Sequence, residues 1–218
     1  MPIVIGVVSQ KGGVGKSTLS RMIARDFTQA GWDVKIADMD FQQGTSFHWA
    51  RSRNEAGVAP EIRVEAFATV AKALRDAERF DLYVFDGAPA ASSATREIAG
   101  AADIVLLPTG PANDDLRPQV LLAHELCKAG VPLAKIAFVL WRVGDSSVEI
   151  ADAREYIEKA GFRVLPGAVP ERTGYRRASD MGRAVTETRF PELNKRADII
   201  MQGIVATIQS LEPQGVHA

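Results

Sequence analysis

The apolar positions of this chain form short unbroken runs, separated by longer stretches in which they recur every three or four residues. The runs are Ile3–Val8, Val34–Ala37, Ile62–Val64, Leu82–Phe85, Ile104–Leu107, Ile136–Leu140 and Phe162–Leu165. They are rich in β-branched residues and read as strands. In IVIGVV, LYVFD and DIVLLP the hydrophobicity is continuous rather than alternating, which implies strands covered on both faces. Between them, Leu19, Met22, Ile23 and Phe27 make a helical stripe that Gly31 is placed to cap. Ser146 followed by Glu149 fits a capping box opening a helix that runs to Ala160 and closes at Gly161. This alternation predicts an α/β fold with a mostly parallel β-sheet sandwiched between helices.

At 218 residues the chain is long enough for one large α/β domain with a real core. Residues 1–211 are assigned to it, and the polar, proline-broken EPQGVHA at 212–218 is expected to be a flexible tail. Apolar residues make up 46%, charged residues 24%, and the net charge is -1, so any polyanion or membrane partner must be met by a local patch. The single cysteine, Cys127, allows no internal disulfide and lies in the helical run LLAHELCKAG, where core packing is expected. MPIVIGVVS has no basic leader and reaches a polar loop within a few residues, which predicts a cytoplasmic protein.

The most informative stretch is SQKGGVGKST at 9–18, which follows a strand and opens a helix. Glycines 12, 13 and 15 permit close backbone approach, so the N–H groups of this loop, including that of Val14, can converge on phosphate oxygens at a helix N-terminus. Lys16 is placed to reach the β- and γ-phosphates, Ser17 offers a hydroxyl to Mg²⁺, and Thr18 can meet the α-phosphate. The usual loop has glycine six positions before the lysine; here that position is Gln10, followed by a second lysine, Lys11. KGGVGKST is similar to the deviant Walker A loop of the ParA/MinD family of dimerising P-loop ATPases. That resemblance implies that Lys11 crosses into a partner subunit and touches its nucleotide. Two facing triphosphates concentrate negative charge that crossing lysines neutralise, so dimerisation would depend on ATP and couple to hydrolysis.

Two further strand ends carry carboxylates. KIADMDFQQGTSFHWA places Asp38 and Asp40 at the carboxyl end of the second strand, the ligand-binding edge of open α/β sheets. It resembles the family's DxDxQ switch, which implies that Asp40 positions the attacking water and that Asp38 lies near Mg²⁺, although Phe41 stands where the family often has proline. His48 and Trp49 on the following helix read as packing residues. DLYVFDGAPAASSATRE ends a strand in Asp86, the position of a Walker B carboxylate that holds Mg²⁺ through water, and the small residues after it suit a switch sensing the γ-phosphate. LPTGPANDDLRP closes the next strand and reads equally as dimer face or plain loop.

Between Glu171 and Arg196 seven basic residues face four acids, a local balance of +3 that leaves -4 for the remainder. A solvated helical face has the same composition. The family's ATP-bound dimers bind DNA without sequence preference through basic C-terminal residues, and the matching stretch here offers Arg172, Arg176, Arg177 and Arg183. No basic amphipathic helix ends the chain: Ile199, Ile200, Ile204, Ile208 and Leu211 form a stripe read as core, so membrane binding is not expected. A cluster-sharing iron protein would need two cysteines and is excluded.

The resemblance therefore implies a ParA-like partition ATPase. Its cofactors are ATP and Mg²⁺, its partners a second copy, nonspecific DNA and a cargo-bound adaptor that stimulates hydrolysis, and its location the nucleoid. Two other readings stay open at this point. One is a metabolic enzyme of the same superfamily that activates a small carboxylic acid, as dethiobiotin synthetase does, for which Lys11 has no evident task. The other is a nucleotide-dependent interaction module with negligible turnover, for which Asp40 has none.

Overall fold

A computed structural model describes residues 2–89 and 93–211, the last by its backbone alone. The expected tail at 212–218 lies outside the described residues. In chain order the elements are β1 (Ile3–Val7), α1 (Lys16–Gln29), β2 (Val34–Asp38), α2 (Thr45–Glu55), β3 (Arg63–Ala66), α3 (Val70–Ala77), β4 (Leu82–Asp86) and α4 (Ser93–Ala101). Then come β5 (Ile104–Thr109), α5 (Asn113–Lys128), β6 (Ile136–Val143), α6 (Ser147–Lys159), β7 (Arg163–Val164), β8 (Val169–Pro170), α7 (Thr173–Asp180) and α8 (Pro191–Leu211). Short 3-10 turns at Leu133–Lys135 and Val185–Glu187 complete the list.

The sheet runs β3-β2-β4-β1-β5-β6-β7, with β8 paired to β6. Each pairing is parallel. Strand order reverses around β1, whose neighbours are β4 and β5, so the loops leaving β1, β2 and β4 share one edge at the topological switch point. Alternate residues of each strand feed two cores. Ile5, Val7, Leu82 and Val84 pack with α1, α2 and α8, whereas Val4, Val8, Tyr83 and Phe85 pack with α3 to α6. Covering both faces is why these strands carry no polar alternation.

The helix signals take effect where expected. Gly31 adopts φ 92 just after α1, and the Ser146 hydroxyl accepts from the Glu149 N–H to open α6. Trp49 is buried, but His48 is exposed, its ring edge-on against Phe47. Cys127 packs, half-buried, against the second core. One residue of the C-terminal stripe departs from it: Ile200, Ile204 and Ile208 are core, but Ile199 is 42% exposed, because it falls at the edge of the face that α8 turns inward. The expected strand Phe162–Leu165 shrinks to two residues, and β8 was not foreseen because Val169–Pro170 is too short to leave a pattern.

Beneath the switch edge lies a buried charge network. Arg53, fully buried on α2, donates to Glu187 at 2.6 and 3.0 Å and to the carbonyls of Ala59, Pro60 and Gly182. It therefore ties α2 to the turn after α7. The guanidiniums of both Arg21 and Arg53 approach the Trp49 ring, at 5.4 and 5.5 Å from its centre.

Candidate nucleotide site

The loop between β1 and α1 emerges at the carboxyl edge of the sheet. No side chain caps the N-terminus of α1, so its first-turn N–H groups stay available to an anion. Gly15 occupies the cap position at φ 102, and a β-carbon there would stand 2.3 Å from the Trp141 ring. Only glycine lets the loop close over that indole. Gly12, Gly13, Gly15, Lys16, Ser17 and Thr18 line a cavity of about 310 Å³. Val14 is buried beside it and can offer only its backbone. The Lys16 ammonium donates to the Lys11 carbonyl at 3.0 Å. Burial lowers its pKa, against the opposing pull of Asp86 and Asp40.

Of the three expected carboxylates, Asp40 and Asp86 line this cavity, whereas Asp38 is buried outside its lining. Asp86, 2% exposed at the end of β4, accepts from the Ser46 hydroxyl at 2.7 Å through Oδ2, while its buried Oδ1 has no hydrogen-bond partner among the described residues. Burial pushes its pKa up to about 6, helped by the charge of Asp38 and opposed by Ser46, Ser17 and Arg21. Asp38 accepts three backbone N–H groups, from Asp40 at 3.1 Å, Ser46 at 2.8 Å and Phe47 at 3.1 Å. It thereby closes the loop after β2 and anchors the start of α2. Asp40 is half-buried, lines the cavity, and accepts from the Gln43 N–H at 3.1 Å. Phe41, next to it, is 65% exposed.

Lys11 does not line that cavity. Its ammonium contacts Asp115 Oδ1 at 2.5 Å and donates to the Asp114 carbonyl at 2.9 Å, both in the first turn of α5. The proline-containing segment at 107–118 is thus brought against the phosphate loop. The lysine side chain remains 43% exposed.

A second cavity, of about 440 Å³, adjoins the other side of the loop, where Trp141, Arg142, Val169, Pro170, Glu171 and Tyr175 meet Gly13, Gly15 and Thr18. It divides the four arginines expected to meet DNA. Arg172 pairs with Asp145, and Arg176 pairs with Glu171, both facing this cavity. Arg177 borders both this cavity and a neighbouring groove of about 410 Å³, and Arg183 borders only that groove, together with Arg189, Met181 and Phe190.

Sequence reasoning missed Arg21, Ser46 and Arg142. Arg21, 6% exposed on α1, donates to the Ser46 hydroxyl at 3.1 Å, the Thr45 carbonyl at 2.6 Å and the Ser179 hydroxyl at 3.3 Å. A charge lying between Leu19 and Met22 on a buried stripe was the available signal, since such a charge must find partners.

Residues 5–185 match the family described as the CobQ/CobB/MinD/ParA nucleotide binding domain. Among curated relatives, the maintenance of carboxysome distribution protein A of Gloeobacter kilaueensis is 28% identical over 190 residues, covering 86% of each chain. The protein of the same name from Halothiobacillus neapolitanus is 30% identical over 179 residues, covering 80% of this chain and 82% of its own. The cell division ATPase MinD of Pyrococcus furiosus shares the fold with a TM-score of 0.74 at 20% identity, covering 94% of this chain and 99% of that one. The matched family span contains the loop, both switch aspartates and Asp86, and the chain belongs to the CobQ/CobB/MinD/ParA nucleotide binding domain family.

Proposed function

We propose that this chain is a ParA-like partition ATPase. Two copies clasp two ATP molecules face to face, bind DNA without sequence preference, and let go when an adaptor on a cargo stimulates hydrolysis. The observation that carries this reading is the position of Lys11. One ammonium, Lys16, already lines the phosphate cavity, while Lys11 rests partly exposed on the outer side of the same loop. From there it can serve a facing copy, whose triphosphate it neutralises and whose transition-state charge it stabilises.

Within each chain, the open N-terminus of α1, Lys16 and Thr18 hold the phosphates, and Asp40 orients the attacking water. Asp86 fits a hydrated divalent cation, because its buried Oδ1, without a hydrogen-bond partner among the described residues, is costly unless lone pairs there are engaged. Ser17 and Asp86 would hold Mg²⁺, which when bound neutralises phosphate charge, while Asp38 keeps the surrounding loop in place. Among the described residues no group of three or more His, Cys, Asp or Glu is arranged to cage a metal, which suits an ion held largely by substrate and water.

The DNA face falls to Arg183 and Arg189 around the groove, with Arg177 at the border between that groove and the cavity beside the phosphate loop; Arg172 and Arg176 face that cavity, paired with Asp145 and with a Glu171 shared with Arg142. Pairing of copies doubles the patch, so binding is gated by ATP. No helix among the described residues is long and apolar enough to cross a membrane. The names of the two curated relatives, which concern carboxysome distribution, favour a large protein assembly as the cargo class, and nonspecific DNA binding would place the chain on the nucleoid.

The test is sedimentation of the chain with ATP and with ADP, repeated with Lys11→Ala, alongside retention on nonspecific DNA over a salt series. ATP should yield a DNA-retained dimer whose binding falls steeply with salt, and Lys11→Ala should stay monomeric while keeping nucleotide affinity. A wild-type monomer indifferent to ATP would defeat the proposal.

A further inference from the structure

Arg142 stands out because its backbone and its side chain are both unusual. It is the non-glycine residue with positive φ among the described residues, at 58°. In that region the β-carbon crowds the neighbouring carbonyl, so a long side chain stays there only when its surroundings enforce it. The cause is a bulge. Trp141 pairs with Val169 and Val143 with Pro170, leaving Arg142 as the extra residue in β6. The two cores record the same event: Ala137, Val139 and Trp141 face one, yet Val143 joins Ile136, Phe138 and Leu140 in the other. Bulges of this kind re-aim a side chain.

The new direction is toward the phosphate loop. The Arg142 guanidinium donates through Nη1 to the Gly13 carbonyl and through Nε to Glu171 Oε2 at 2.6 Å. Glu171 is held in turn by Arg176. In a trans peptide the carbonyl and the next N–H point in opposite directions. Arg142 borders the second cavity and not the one lined by Lys16, so holding the Gly13 oxygen toward Arg142 turns the Val14 N–H away from that side, toward the phosphate side of the loop.

We propose that Arg142 is a positioning residue for nucleotide binding, a clamp that presets the Gly13–Val14 peptide plane, with Glu171 orienting the clamp. This rests on the nucleotide-site reading above. A merely structural arginine at positive φ makes a different prediction, since glycine relieves the crowding there.

The experiment is the affinity of fluorescent ADP with Mg²⁺ for the wild-type chain, Arg142→Gly, Arg142→Ala, Glu171→Gln and the Arg142→Gly/Glu171→Gln double variant, with melting temperatures recorded for each. The clamp predicts that Arg142→Gly melts no lower than the wild type yet binds about tenfold to a hundredfold more weakly, as loss of a hydrogen bond to a charged group does. Glu171→Gln should weaken binding less, and add nothing in the double variant. Wild-type affinity in Arg142→Gly, or full additivity in the double variant, would overturn the clamp. Failure of the wild type itself to bind would remove the nucleotide-site reading, and the clamp with it.

Discussion

Asparagine at position 115 keeps the shape of the Lys11 partner and removes its charge. In the isolated chain Lys11 is occupied by Asp115 at 2.5 Å, so it must leave that carboxylate before serving a second copy. The two side chains are 43% and 30% exposed, which screens the pair and limits it to about 0.5–1 kcal/mol. Each dimer releases two such pairs, so Asp115→Asn should favour the ATP-bound dimer by about 1–2 kcal/mol, roughly 5- to 30-fold in its dissociation constant. Sedimentation velocity over a protein concentration series, with a non-hydrolysable ATP analogue, measures this directly. Asp115 also lies in the first turn of α5, where a negative charge favours the helix, so melting temperature should be followed in parallel. The gain should vanish at high salt and in a Lys11→Ala background. An unchanged or weaker dimer constant in a normally folded Asp115→Asn chain would refute the competition between Asp115 and a facing nucleotide.

Three other outcomes are expected. Asp40→Ala should bind ATP, turn it over at least tenfold more slowly, and accumulate as the dimer; steady-state phosphate release checks this, and wild-type turnover would remove Asp40 from its role. Glu187→Ala strands the fully buried Arg53 guanidinium, so stability should fall by roughly 3–5 kcal/mol, seen as melting about 10 °C lower; a loss within experimental error would mean that the carbonyls around Arg53 suffice. The folded pKa of Asp86, about 6, exceeds its ordinary 3.8, so its protonation favours the native state: that contribution is full below 3.8 and is lost as pH rises through 6. In buffer free of Mg²⁺ and nucleotide, Asp86→Asn should therefore be more stable than the parent above pH 6, by up to about 3 kcal/mol, and converge with it toward pH 4. Parallel stability curves would count against a strained carboxylate at this position.

Local patterns carried the strands, the phosphate loop and the positions of Asp38, Asp40 and Asp86, because each announces itself through neighbours in sequence. What escaped depends on partners far along the chain. Arg142 is made unusual by pairing of β6 with Val169–Pro170, and Ser46 matters because its hydroxyl reaches Asp86 forty residues on. Asp38 looks from sequence like one of two equivalent acids, but its oxygens are taken up by N–H groups at both ends of the loop that follows it. Composition alone could not separate Arg172 and Arg176, which meet acidic partners beside the nucleotide loop, from Arg183, which lies past the end of α7 on a neighbouring groove that Arg177 also borders. Ile199 fails for a related reason: a stripe wide enough to include it exceeds the face that α8 buries.

The central claim is that Lys11 exchanges its own Asp115 for the phosphates of a facing copy. A crystal structure of the wild-type chain with Mg²⁺ and a non-hydrolysable ATP analogue tests it most directly. The account predicts a two-fold pair in which each Lys11 ammonium has left Asp115 and lies within hydrogen-bond distance of the other copy's nucleotide. A single subunit holding nucleotide, with Lys11 still resting on Asp115 and solution scattering of the same mass, would contradict it.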